Sequence, residues 1–147
     1  MDDTDRKILR CLKENSRQNA TAIGEKISLS TSAVIERIKR LENAHIIQQY
    51  TTIVDQQILG RELTAFVEVR LDHPKYNDNF HEMVKKFDEI SECHYVTGDF
   101  DFMLKVITGS SRSLEQVLTY IKSISGVALT RTLVVLSTIK NEVSPLP

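Results

Sequence analysis

The chain has 147 residues, 41% apolar and 27% charged, a composition that suits a folded soluble protein and excludes wholesale disorder. That length holds one ordinary domain or two very small ones, and half-size domains are marginal without partner subunits. The net charge of −1 hides an asymmetry, since residues 1–50 carry nine Lys/Arg against seven Asp/Glu and the remainder ten against thirteen. Any basic surface is therefore local to the N-terminal end. The longest unbroken aliphatic run, Leu133 to Leu136, is far short of a membrane span, and the acidic start Met1-Asp2-Asp3-Thr4-Asp5 is unlike a secretion signal. A cytoplasmic protein with no membrane contact is expected. Cys11 and Cys93 have no metal-ligand spacing and fall inside a helical and a strand pattern, so both are expected as reduced core residues, with no metal site and no cofactor.

Three helical patterns come first. Asp5 to Glu14 sets Ile8, Leu9 and Leu12 at helical spacing, behind acidic residues that suit a helix N-terminus. Asn15 to Asn19 interrupts it with turn-formers. Ala20 to Ile27 is a short second helix with Asn19 as N-cap, and Ile23 and Ile27 inward. Ser28-Leu29-Ser30 connects it to a third, Thr31 to Asn43, capped by Ser30 and buried along Val34, Ile38 and Leu41. Short helices joined this way describe a helix-turn-helix, although a plain piece of three-helix bundle shares the spacing.

The outer side of the third helix shows Ser32, Ala33, Glu36, Lys39 and Arg40, with Arg37 at its edge and Thr31 at its start. Small residues at the front let a helix sink into a major groove, and cations further along reach phosphates or guanine edges. A solvated charged face would present the same pattern. The candidate DNA contacts are Thr31, Ser32, Glu36, Arg37, Lys39 and Arg40. Of these, Arg37, Lys39 and Arg40 are expected on phosphates, and Ser32 and Glu36 near base edges. Ile46 and Ile47 are expected to close this head, residues 1–50. Tyr50 to Asp55 is β-prone and reads as a strand entering a linker, residues 51–62, with Gly60-Arg61 at the boundary.

Beyond the linker, strand and helix signals alternate. Leu63 to Leu71 puts Ala65, Val67, Val69 and Leu71 on one face and Thr64, Phe66, Glu68 and Arg70 on the other. Phe80, Met83, Val84 and Phe87 form a helical stripe. Glu92 to Thr97 is a strand, Gly98-Asp99-Phe100 a turn, and Asp101 to Thr108 another strand. Leu114, Val117, Leu118 and Ile121 form a second stripe, capped by Ser110 or Ser111, and Ala128 to Lys140 is a last strand after Gly126. The order β-α-β-β-α-β over residues 63–141 is the ferredoxin-like plan, so the whole chain is α+β. The tail, residues 142–147, has two prolines and is expected to fray. Asp101 to Thr108 is apolar on both sides, Phe102, Leu104 and Val106 against Met103 and Ile107. Helices in this plan cover one sheet face, so the other is expected to be covered by a second subunit or, alternatively, by the chain's own linker.

The ordered stretches Asp5-Arg6-Lys7-Ile8-Leu9, Leu29-Ser30, Val34 to Glu42, Ile46 to Tyr50, Leu59-Gly60, Val96 to Phe102 and Thr130-Arg131-Thr132 resemble the Lrp/AsnC, or feast/famine, family of transcription regulators over nearly the whole chain. The resemblance implies a dimer with sheets packed face to face, often assembled into tetramers or octamers, that binds double-stranded DNA. It also implies an amino-acid effector held between subunits and lined by Thr97, Gly98, Asp99 and Asp101, with Thr130, Thr132 and Val134 nearby. Carboxylates suit an ammonium, and hydroxyls or amides a carboxylate, while Asp99 and Asp101 equally suit turn chemistry. The sequence departs from the family at Ser28 and His45, which stand where glycine is usual and where a left-handed or tight backbone is expected, and at Asn15-Ser16, where Asp-Gly is usual.

Other readings are weaker. Small tetrapyrrole decarboxylases resemble this two-domain plan, but the four histidines, His45, His73, His81 and His94, are scattered and only His94 lies on a strand. No nucleophile elbow, paired carboxylates or phosphate loop appears, so no enzyme is expected. An architectural protein that wraps DNA without a ligand would use the same head and oligomer.

Overall fold

A computed structural model describes residues 1–146. Two compact units emerge: residues 1–53 together with the C-terminal residues from Lys140, and Val54–Ile139.

The first unit contains α1 (Asp3–Glu14), α2 (Ala20–Ile27) and α3 (Thr31–Asn43). Helix α1 starts earlier than its apolar spacing indicates because Asp2 and Asp5 cap it reciprocally: Asp5 N–H donates to the Asp2 carboxylate at 2.8 Å and Asp2 N–H to the Asp5 carboxylate at 3.0 Å. The Asn19 carboxamide oxygen accepts from Ala22 N–H at the start of α2, and the Ser30 hydroxyl accepts from Ala33 N–H at the start of α3, as their positions predict. Ile8, Cys11, Ile23, Val34 and Leu41 fill the core, with Leu12, Ile27, Ile38 and Ile47 packed around it. Only Ile47 of the expected pair closes the core, since Ile46 is 45% exposed.

Among the described residues, two other than glycine adopt positive φ, Ser28 at 59° and His45 at 54°. They are the two positions where glycine is usual, so the left-handed geometry is kept without it. Gly24 is needed for another reason: a Cβ there would lie 2.5 Å from the Leu29 carbonyl oxygen. Its absence lets the chain turn tightly between α2 and α3. Glu142 in the tail pairs with Lys13 of α1.

The expected strand at Tyr50 to Asp55 does not form. A β-prone run becomes a strand only where a neighbour completes its hydrogen-bond ladder, and none does so here among the described residues. Asp55 instead starts a turn, its carboxylate accepting from Gln57 N–H at 2.9 Å and Ile58 N–H at 3.3 Å.

The second unit runs β1 (Leu63–Leu71), α4 (Asn77–Val84), β2 (Ile90–Tyr95), β3 (Phe102–Thr108), α5 (Ser111–Ser123) and β4 (Val127–Val134), with a single 3-10 turn before α4. The sheet order is β2-β3-β1-β4 and every pairing is antiparallel, the ferredoxin-like arrangement. Helix α4 ends before Phe87, which still packs by stacking on Tyr120 at 4.4 Å. Strand β2 lies two residues earlier than the pattern indicates, and β4 stops at Val134 instead of reaching Lys140. Cys93, expected in the core, is exposed because β2 is an edge strand, whereas Cys11 is buried.

The register sorts the sheet into two faces. Ala65, Val67 and Val69 pair alongside Val106, Leu104 and Phe102, and all pack with Phe80, Val84, Leu114, Val117 and Ile121 from the helices. The opposite face carries Phe66, Glu68 and Arg70 of β1, Met103, Lys105 and Ile107 of β3, and Leu129, Arg131 and Leu133 of β4. This second face is mixed: Glu68 pairs with Arg131, and Glu92 with Lys105 at 2.9 Å, between apolar residues.

Candidate DNA-reading helix and ligand cavity

Helix α3 leaves Thr31, Ser32, Glu36 and Lys39 exposed. Thr31 donates its hydroxyl to that of Thr21 on α2 at 3.2 Å, and the hydroxyls of Ser30 and Ser32 lie 3.2 Å apart. Glu36 and Lys39 make no ion pair among the described residues, so both are available to an outside partner.

Arg37 and Arg40 are placed differently from Lys39. Arg37 Nη1 reaches Asp2 at 2.7 Å and Asp5 at 2.8 Å, and Arg40 Nη2 reaches Asp5 at 2.9 Å. Asp5 is 1% exposed, so one buried carboxylate, bonded at its caps and to two guanidiniums, ties α1 to α3. Arg37 is mostly enclosed by this network, while Arg40 keeps a largely exposed guanidinium. Burial pushes the Asp5 carboxyl up, but the Asp2 N–H and the Arg37 hydrogen bond outweigh it and hold the group below its ordinary value. The Arg37 hydrogen bond, followed by the Asp5 N–H, lowers Asp2 to about 2. Reasoning from sequence treated Asp5 only as a charge near a helix end. The available signal was position: Asp5 continues the inward stripe of Ile8 and Leu12, and an acid in an apolar stripe implies cationic partners.

The second site lies in the sheet unit. A cavity of about 540 Å³ is lined by Arg70, Asp99, Phe100, Leu129, Thr130 and Arg131. Its floor follows from the register, with Leu129 opposite Arg70 and Arg131 opposite Glu68. Arg131 pairs with Glu68 and lays its guanidinium over the Phe100 ring at 4.9 Å. Gly98, at φ 118°, shapes the turn that carries Asp99 into the cavity wall.

Of the residues carried over from the family, Asp99 and Thr130 meet at this cavity. Asp101 sits beside it with its carboxylate accepting from Leu71 N–H at 2.7 Å and its own N–H donating to Val69 C=O at 2.9 Å. That is the turn chemistry, and it fastens the turn to the end of β1. Thr97 and Gly98 are exposed in the turn, outside the lining. Thr132 and Val134 pair with Val67 and Ala65 and so belong to the helix-covered side of the sheet. Arg70, Phe100, Leu129 and Arg131 were missed. Strand alternation could have grouped Arg70, Leu129 and Arg131 on one face, but the pairing of β1 with β4 is long-range and invisible locally. His94 pairs with Glu92 at 3.1 Å on the edge strand, and among the described residues no cluster of metal-ligating side chains exists.

A capped helix-turn-helix joined in one chain to a ferredoxin-like unit with a polar cavity defines a two-domain transcription regulator with a ligand-binding module. Residues 1–42 match the AsnC-type helix-turn-helix domain and residues 64–145 the Lrp/AsnC ligand binding domain. The chain belongs to the Lrp/AsnC family, and the relatives it matches are named as transcriptional regulators and not as enzymes.

It is 35% identical to the HTH-type transcriptional regulator FL11 of Pyrococcus abyssi, covering 100% of this chain and 96% of that one. It is 34% identical to the leucine-responsive regulatory protein of Escherichia coli, covering 95% and 87%. Among solved structures, a transcriptional regulator of Neisseria meningitidis in complex with L-methionine superimposes with a TM-score of 0.94 at 32% identity, covering 100% of this chain and 96% of that one. Escherichia coli AsnC superimposes with a TM-score of 0.91 at 27% identity, covering 96% and 95%. No helix among the described residues is long and apolar enough to cross a membrane.

Proposed function

We propose that this regulator reads double-stranded DNA with α3 in the major groove and responds to an amino acid held at the cavity beside the Asp99 turn. The working unit is a homodimer joined through the open sheet face, assembled further into tetramers or octamers. The observation that carries the effector reading is the cavity itself, which brings an acid, two guanidiniums and two apolar side chains together at that open face. The complex of the Neisseria relative with L-methionine supports the same ligand class. Exposed Leu129 and Leu133, with Phe66, Met103 and Ile107 beside them, favour a partner subunit over this face.

On DNA, Lys39 is the readiest phosphate contact, Arg40 the next through its exposed guanidinium, and Arg37 the least free. Thr31, Ser32 and Glu36 stand where base edges would be read. An amino acid acts by binding one assembly, or one spacing of the heads, more tightly than another.

Light scattering and DNA mobility shifts, run alone and with each of the twenty amino acids, test this reading. One or a few amino acids changing mass or DNA affinity supports it. No response to any of them leaves a ligand-independent DNA-wrapping protein, and a monomer in every condition removes the sheet-face dimer. Lys39→Ala is expected to weaken DNA binding across sequences and lower the slope of log affinity against log salt by about 1. An unchanged slope moves the DNA face elsewhere.

A further inference from the structure

The cavity holds two arginines in different situations. Arg131 has its Nε on Glu68 and its plane over Phe100, so its charge is answered inside the protein. Arg70 is exposed, lines the same cavity, and has no carboxylate partner among the described residues. It stands on β1 directly opposite Leu129 on β4, so an unanswered cation and an apolar wall are immediate neighbours. Asp99 supplies the opposite charge from the turn. With Arg131 answered, the cavity offers one cation, one anion and a hydrocarbon surface made by Leu129 and Phe100.

We infer that Arg70 anchors the carboxylate of the ligand and makes the site demand a free acid. The inference rests on the reading that the cavity holds an amino acid, and it narrows that class. The ligand is a zwitterion whose carboxylate meets the Arg70 guanidinium, whose ammonium meets Asp99, and whose side chain lies on Leu129 and Phe100. A planar guanidinium holds a carboxylate through two parallel N–H donors, which a carboxamide cannot accept equally well. Amines, amides and esters of the same amino acid are disfavoured by this arrangement, because each leaves the cation unanswered.

The experiment uses the full-length protein. Thermal shift is measured with the twenty amino acids, and the one with the largest shift is titrated calorimetrically beside its own α-carboxamide, on wild type, R70A and R70K. On wild type, the carboxamide is expected to bind on the order of tenfold or more weaker than the acid, the loss of one charge-assisted contact. R70A is expected to lose a similar factor for the acid and to bind acid and carboxamide nearly alike, and R70K to recover part of the preference. The melting temperature of ligand-free R70A reports whether the fold is intact, and R70K keeps the test open if it is not. If an amino acid binds and R70A keeps wild-type affinity or the full acid-over-amide preference, the role of Arg70 is overturned while the effector reading stands. If none of the twenty binds, the effector reading falls and Arg70 with it.

Discussion

The two halves of the chain are held together by different physics. The sheet unit has a continuous apolar core in which Phe80, Phe102, Leu104, Val67 and Ile121 are almost fully enclosed. The helical head has a handful of buried apolar residues and adds a polar tie, the buried Asp5 carboxylate shared between Arg37 and Arg40. A head this small cannot bury enough apolar surface to be secure. It recruits charge to hold α3, the helix it must present. The same arginines that look like DNA contacts in a helical wheel are thus part of the head's own framework. In the head, two of the proposed DNA contacts, Arg37 and Arg40, also serve stability, whereas in the sheet unit the core and the cavity use opposite faces of the strands.

The largest effect is expected from Phe80→Ala, which empties the centre of the sheet unit where the ring lies 4.7 Å from that of Phe102. The loss should be about 3–5 kcal/mol, read from denaturant unfolding, with hydrogen-exchange protection lost in β1 and β3 and kept in α1 and α3. Loss of protection in the head at the same denaturant concentration would show that the two units unfold as one.

Asp5→Ala sharpens the contrast from the other side. It removes half of the α1 capping box and leaves two guanidiniums without their shared acceptor, at a cost of about 2–3 kcal/mol confined to the head. Acid should do the same reversibly. Asp2 is held down to about 2 and Asp5 below its ordinary value when folded, so their stabilisation is complete above the ordinary carboxylate range and drains as pH falls below it. Exchange protection in α1 and α3 should therefore fail before that in β3 as pH drops through this window. Equal sensitivity of the two units would break the comparison.

Gly24→Ala is the next step down. Its Cβ would meet the Leu29 carbonyl oxygen, a backbone atom, so the turn must shift at a cost of about 1–3 kcal/mol. Because the shift displaces α3, DNA affinity should fall even at temperatures where the head stays folded, as a mobility-shift titration would record. Ser28→Gly and His45→Gly are the smallest changes and act in the opposite direction. Each relieves a side chain held at positive φ and should raise head stability by up to about 1 kcal/mol, seen as a higher melting temperature.

Much of the architecture was legible because it is local. The spans of α2, α3 and β1 follow from apolar spacing and from caps at Asn19 and Ser30, whereas the left-handed sites at Ser28 and His45 were implied by the family resemblance and not by any local pattern. The errors occur where a local signal needs a distant partner. Tyr50 to Asp55 has strand propensity and no neighbouring strand, Cys93 sits in a strand pattern that turns out to be an edge, and β4 ends where its pairing with β1 ends.

The sequence by itself determined two units and the types and buried faces of the helices and of β1 and β3, since these depend on periodicities of a few residues. The tertiary structure alone decided which charges meet. Asp5 finds Arg37 and Arg40 across the head, Glu68 finds Arg131 across two strands, and Arg70 is left facing a cavity with no carboxylate partner among the described residues. Side chains far apart in the chain interact only once the backbone has brought them within a few ångströms, and no local pattern encodes that distance.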